Sequence, residues 1–367
     1  MLIKSKKVKV RTARLEIWVC LLLLSCNKGD NPVAVDTGEE PVVTVIEWEY
    51  KTISSPAIGD GFGTSLALSD DGLYIGAPHG ETGGVIYKHT NTAQLEPVMQ
   101  GEVGGALGAA IAFYEGKLYG AAPIYGSGAG AIFRSDGVSI VGDAGQLLGK
   151  RLYNTGGGLY AASTSGLFRV LPPSIGEIVH RLNLEFIDQT SRVGGFIADG
   201  ESLYIGTPHG EMAVTTGVTS LQHSSPLDES GYALCKANLL GDERDEIVTG
   251  APGANRVEIF TLSDTDSLEL AKTIQGDSGR FGHAISCIDG LLIVGAPLFG
   301  DEHQGALWRF EGDSSVWTVG EAFLSGSSAW AQLGFETALG NEGEIYAGAP
   351  GGEGTAGTVT AYSPITP

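Results

Sequence analysis

Cysteine is scarce in this chain of 367 residues, which has four. With so few, disulfides cannot be the framework of the fold in any compartment. Basic residues are also short, 22 Lys and Arg against 43 Asp and Glu, for a net charge of −21. A surface this acidic repels phosphate backbones and anionic headgroups. No Arg/Lys cluster with interleaved aromatics overrides it, so nucleic acid is excluded as a partner. The sequence has no GxSxG elbow, no HExxH and no Cys/His cluster, the arrangements that nucleophilic hydrolysis and zinc chemistry need. Carboxylates are plentiful, but no pair can be set at the separation that glycoside chemistry requires. The expectation is a chain that is not an enzyme.

Long apolar runs are missing too. The one sustained stretch, "IWVCLLLLSC" at 17–26, is too short to cross a bilayer and follows Lys4, Lys6, Lys7, Lys9, Arg11 and Arg14. A basic n-region before a short apolar h-region reads as a secretory signal. Its end, "LLSC", resembles the lipobox of bacterial lipoproteins, which implies cleavage before Cys26 and a lipid on that residue. Asn27 follows, not the Asp that resembles an inner-membrane retention signal, so a cell-envelope protein anchored to the outer membrane is expected. The organisation is then a signal peptide at 1–25, a lipidated flexible tether at 26–42, poor in aromatics and rich in Gly, Pro and acid, and a folded domain at 43–367. Cys235 and Cys287 remain in that domain. They stand four residues after Gly231 and five after Gly282, so period-two alternation puts them on opposite strand faces. Two small buried side chains fit that offset better than a bridge.

Glycine, by contrast, is abundant, with 56 residues, and its placement exposes a repeat. "YIGAP" at 74–78 recurs as "YGAAP" at 119–123, "YAAS" at 160–163, "YIGTP" at 204–208, "VTGAP" at 248–252, "IVGAP" at 293–297 and "YAGAP" at 346–350. Each copy opens with an apolar residue and a glycine, as in Phe62-Gly63, Leu107-Gly108, Leu148-Gly149 and Phe281-Gly282. A short alternating run, a tight turn such as "DDG" or "IDG", and the "GAP" strand follow. A third strand ("GGVIYKH", "GAIFRS", "ALWRF") comes next, and a fourth is readable in most copies, including "EIVHRLN" at 177–183. Four short strands repeated about every 45 residues are the sequence form of a β-propeller blade. The expected fold is all-β, a propeller of seven four-stranded antiparallel blades. The strand-like "VVTVIEWEYKTI" at 42–53 would complete the last blade and close the ring, hiding otherwise exposed edges.

The repeated FG and GAP phrases resemble the FG-GAP repeat family, whose members include the seven-bladed propeller of integrin alpha subunits. The resemblance covers about residues 43–365, with the third and fourth copies degraded. It implies a binding or adhesion module that recognises a protein or glycan through the loops on one rim. The alternatives are a structural or assembly lipoprotein of an envelope complex and, less favoured, a propeller hydrolase or lyase. The rim residues it points to are His79, Glu81, Tyr125, His209, Glu211, Phe299 and His303. "PHGE" occurs twice, at 78–81 and 208–211, but three repeats apart, so ordinary polar rim residues fit better than a shared metal site. Trp48, Trp308, Trp317 and Trp330 read as packing between blades more readily than as sugar platforms.

Family members often carry a calcium loop between the first two strands of a repeat, where alternating oxygens wrap a hard cation. Here the fifth copy alone has the length for it. Laid on that loop, Asn238, Asp242, Arg244 (through its carbonyl) and Glu246 fall on ligand positions, while Leu240 replaces an oxygen donor and Glu243 the usual glycine. The loop reads either as a calcium site or, better supported by those departures, as a solvated acidic turn. No cofactor is required, and the membrane is met only through the lipid.

Overall fold

The computed structural model describes residues 6–8, 47–90, 94–155, 158–170, 193–199, 202–207, 211–214, 221–222, 228–242, 244–262, 268–311, 317, 319–341, 343–352 and 354–365. Along them each repeat folds into its own antiparallel sheet. The first sheet holds Ser65–Ser69, Gly72–Ala77, Val85–His89 and Leu95–Gln100. The second holds Ala110–Tyr114, Lys117–Ala122, Ala131–Arg134 and Ser139–Val141. The third has three strands, Arg151–Thr155, Gly158–Ser163 and Gly166–Val170. Four-stranded sheets follow from Phe196–Asp199, Ala233–Ala237 and Ala284–Ile288 onward. The closing sheet joins both ends of the domain, with Glu47–Ser54 antiparallel to Thr358–Ile365, then Ile345–Ala349 and Glu336–Leu339. Lys6–Val8 pairs on its outer edge, Lys6 opposite Tyr50.

The expectation of seven equal four-stranded blades is thereby corrected. Six sheets carry four strands or more, and the third repeat supplies a sheet of three. The fourth strand read at 177–183 lies outside the described residues. Among the described residues no sheet closes on itself through hydrogen bonds. The ring is held by packing, with the first strand of every sheet touching the first strand of the next in a closed cycle.

Packing between sheets explains the glycines. The opening glycines Gly63, Gly108, Gly231, Gly282 and Gly334 all have φ between +87° and +94°, a region that side chains disfavour. Gly63 donates its N–H to the Gly76 carbonyl of its own sheet at 3.0 Å, and Gly282 does the same to Gly295 at 3.1 Å. The GAP glycine in turn abuts the opening glycine of the following sheet. A Cβ built on Gly76 would lie 2.1 Å from the Gly108 oxygen, one on Gly250 1.9 Å from Gly282, one on Gly295 2.2 Å from Gly334, and one on Gly348 2.0 Å from Gly63. The apolar residue before the opening glycine plugs the gap beside this contact. Phe62, Leu107, Leu148 and Phe281 are fully buried, each worth about 1.5–3 kcal/mol of apolar burial.

Cys235 and Cys287 form a disulfide, with their Cα atoms 5.9 Å apart, which corrects the expectation of two separate thiols. They sit on the first strands of the fifth and sixth sheets. Neighbouring sheets in a ring present opposite faces to each other. The one-residue offset that would separate two cysteines within a sheet is therefore what brings them together across the gap.

Two outcomes follow. Gly250→Ala, which forces a side chain against the Gly282 oxygen, should destabilise the fold by about 2–4 kcal/mol in urea unfolding. Gly320→Ala, which meets nothing within 4 Å, should change it by less than about 0.5 kcal/mol. Replacing Cys235 and Cys287 together by alanine should lower stability by about 2–4 kcal/mol, read by the same unfolding curves with and without reductant.

Candidate functional site

The two residues after each opening glycine begin the inner strand and face the axis. They vary from repeat to repeat while the frame around them holds: Thr64-Ser65, Ala109-Ala110, Lys150-Arg151, Gly195-Phe196, Tyr232-Ala233, His283-Ala284 and Phe335-Glu336. All of them line one axial cavity of about 390 Å³. Small side chains on the first two sheets leave room there, and the polar groups come from the third, fifth, sixth and closing sheets.

Those polar groups are ordered around Tyr232. The Arg151 guanidinium lies over its ring, 4.6 Å from the centroid, and Arg280 approaches at 5.7 Å, stacked geometries in which a cation gains from the ring's negative face. Arg280 is itself paired with Glu229. The Tyr232 hydroxyl lies 3.0 Å from His283 Nε2, and His283 Nδ1 lies 3.1 Å from the Phe335 carbonyl oxygen. A carbonyl can only accept, so Nδ1 carries the proton and Tyr232 donates to Nε2. Burial, and then the charges of Arg151 and Arg280, push the His283 imidazole down to about 3, which keeps it neutral. The Tyr153 hydroxyl donates to the Gly194 carbonyl, and burial pushes that phenol up.

Glu336 is the acid of the cavity. Burial pushes its carboxyl up to about 7, against the pull of Arg151 and of the Thr337 N–H. A half-buried, desolvated carboxyl poised near neutrality under the field of a cation can hold or release a proton at physiological pH.

The residues read from the sequence lie elsewhere. His79 and Glu81 are exposed on the first sheet's loop, where the His79 N–H donates to the Asp60 carbonyl at 2.8 Å. Tyr125 packs edge-on against Phe133, and Phe299 against Trp308. His303 Nδ1 lies 3.1 Å from the Leu298 carbonyl oxygen, and its ring rests on Trp330 at 4.6 Å. Each is thus held by its own neighbourhood. Glu211 opens the strand Glu211–Val214. Cys26 and His209 fall outside the described residues. Trp308 and Trp317 are buried between sheets, whereas Trp330 is half exposed.

In the fifth repeat most of the loop oxygens are engaged internally, while Glu246 Oε1 is buried with no hydrogen-bond partner among the described residues. Asn238 Oδ1 accepts from the Gly241 N–H at 3.0 Å, Asp242 pairs with Arg244 at 2.8 Å, and Glu246 Oε2 accepts from Leu239 and Leu240 at 2.7 and 3.0 Å. Among the described residues no three His, Cys, Asp or Glu side chains gather as a metal site would need.

Arg151, Tyr153, Tyr232, His283 and Glu336 were not singled out by motif. The signal that marks four of them is variability: charged or aromatic residues at repeat positions that alternate copies fill with Ala or Gly.

The two perturbed groups give opposite pH dependences. Glu336 binds its proton more tightly when folded, so its contribution to stability is present below about pH 4.5 and is lost as pH rises through about 7. His283 binds its proton less tightly, so its contribution is present above about pH 6.5 and is lost as pH falls toward 3. Glu336→Gln should therefore gain stability relative to the parent as pH rises from 5 to 7, and His283→Gln should lose it over the range 4 to 6.5. Urea unfolding across pH checks both, and a flat difference for Glu336→Gln would mean a solvated carboxylate.

No family model matches the chain, and no curated protein matches it. The likeness to FG-GAP and integrin propellers is accordingly corrected: those glycines answer to close packing between sheets, which any propeller ring imposes. Solved structures do share the fold. Virginiamycin B lyase from Staphylococcus aureus superposes with a TM-score of 0.61 at 11% identity, over 87% of this chain and 100% of its own. The computationally designed Ika8 protein superposes at 0.50 and 14% identity, over 80% and 82%. Likeness at this level establishes a β-propeller fold. It also corrects the expectation of a chain without catalysis, because an enzyme is built on the same architecture.

Proposed function

We propose that this propeller works as an envelope-anchored enzyme of the lyase or hydrolase class, acting on a small polar substrate held in the axial cavity. The observation that carries the reading is Glu336, a half-buried carboxyl on the wall of a ligand-sized space, which desolvation pushes up to about 7. At neutral pH such a group can take a proton from substrate and return it later, the requirement of general acid–base catalysis. Arg151, fixed over Tyr232, would neutralise charge that develops on an oxygen as the bond breaks. Tyr153 and the Tyr232–His283 pair would hold the cavity's shape through hydrogen bonds already made. Bond cleavage by a lyase on the same fold adds precedent and nothing more.

The lipobox-like "LLSC" and the Cys235–Cys287 bridge both suit an oxidising, extracytoplasmic setting. We place the chain on the outer membrane through Cys26, with the domain lifted off it by the tether. Among the described residues no helix is long and apolar enough to cross a membrane. A second reading, recognition of a protein or glycan at the rim or assembly of an envelope complex, rests on Trp330, half exposed and edge-to-face with His303, with His79 and Glu81 exposed on another rim loop.

The test is turnover. The purified chain, incubated with pools of small glycosides, cyclic esters and uronate oligomers and followed by mass spectrometry, should cleave one class. Its kcat should change with an ionisation near pH 7. Glu336→Gln should lower kcat by about 10²–10⁴-fold. Unchanged turnover in that variant would overturn the assignment and return weight to the rim.

A further inference from the structure

A second cavity, remote in sequence from the polar ring of the axis, opens between the sixth sheet and the closing sheet. The last strand of the sixth sheet is short: Leu324–Ser325 pairs with Ala306 and Leu307. Between the segment 322–328 that carries it and the strands Glu47–Ser54 and Thr358–Ile365 lies a cleft of about 350 Å³.

Its lining has an unusual composition for a chain of net charge −21, since no Asp, Glu, Lys, Arg or His contributes to it. Two kinds of group do. One is a set of rings, with Tyr362 between Tyr50 at 5.7 Å and Phe323 at 5.3 Å. The other is a set of hydroxyls on three segments, including Ser325, Ser327, Thr52, Thr358 and Thr360. The Tyr362 hydroxyl is closed off from solvent, with no hydrogen-bond partner among the described residues, so it is not one of the groups the cleft offers to a ligand. A hydrocarbon ligand would strip water from the hydroxyls and give nothing back. An anion would find no counter-charge in the lining, since Arg309, 6.0 Å from the Phe323 ring centre, is paired with Glu311, and a cation would find no carboxylate there. What satisfies both sets is an uncharged polyhydroxylated ring, with its C–H face on the aromatic groups and its hydroxyls on the Ser and Thr side chains.

We infer that this cleft is a binding site for a neutral sugar of one or two rings, separate from the axial cavity and built by the meeting of the sixth and closing sheets. Its occupant size follows from the volume, which suits a disaccharide and excludes a long chain.

The experiment is saturation-transfer NMR and thermal shift on the full chain with maltose, cellobiose and lactose, alongside glucuronate and glucose 6-phosphate as charged controls. At least one neutral disaccharide should bind, the charged sugars should not, and Phe323→Ala should weaken binding by about tenfold. Because Phe323 also packs against the closing sheet, Thr52→Val serves as a second variant that keeps the shape of an exposed residue, and it should weaken binding several-fold with an unchanged melting temperature. The inference is overturned if none of the three disaccharides binds at about 20 mM, a concentration that detects millimolar affinity. It is equally overturned if the charged sugars bind as well as the neutral ones, or if binding survives both variants. Glu336→Gln, which bears on the axial reading alone, should leave sugar binding as it is, so the two sites fail or stand separately.

Discussion

Backbone meets backbone where one sheet ends its second strand and the next begins its first, and that contact governs the molecule. At Gly250 and Gly282, or Gly348 and Gly63, the approach leaves no room for a methyl group. The hydrogen bond from each opening glycine to its own sheet and the positive φ it adopts set the angle at which the inner strand starts. Since the same joint recurs around the ring, the pitch from sheet to sheet is fixed by sterics, and the side chains fill what the backbone leaves. In the second and third repeats alanine, Ala121 and Ala162, stands in place of that glycine.

The joint engages the backbone of the residues that follow it, with the N–H of Lys150, Tyr232, His283 and Phe335 donating to the carbonyl at the GAP position, and leaves their side chains free to differ. They start the inner strands and can carry Thr-Ser, Lys-Arg or Phe-Glu with that backbone pattern intact. The scaffold and the chemistry are thus written in adjacent positions of one repeat. Converging on an axis from several sheets, those variable pairs bring an arginine, an acid, an imidazole and a phenol into one cavity. There, desolvation dominates, which is why Glu336 and His283 both favour their neutral forms.

The propeller was legible because its signal is repeated: a lone "GAP" means nothing, while near-constant spacing fixes strand, turn and strand in every copy. The number of full blades was not, since the third repeat carries the motif "YAAS" yet yields a shorter described sheet. Family likeness misled for the same reason that fold reading succeeded, because the glycines are demanded by packing and arise wherever a ring of sheets is built. Site residues were sought in the loops after each "GAP", where lengths vary. His79, Tyr125 and Phe299 turn out to be scattered, whereas Arg151 and Glu336 share a cavity although 185 positions apart. Cys235 and Cys287 failed within-sheet geometry and met across sheets. Such relations exist only once the ring is closed, and no local period encodes them.

The closing sheet ties Glu47 to Ile365, so the first strand of the domain has to wait for the last. Until the chain's end arrives, the strand 47–54 is an orphan edge, and every preceding sheet stands in an open arc. Assembly of this kind has high contact order and is slow, with long-lived intermediates that invite edge-to-edge pairing. The latch is the last strand of the domain to be made, and the open arc that precedes it is the state in which mispairing has the longest time to occur.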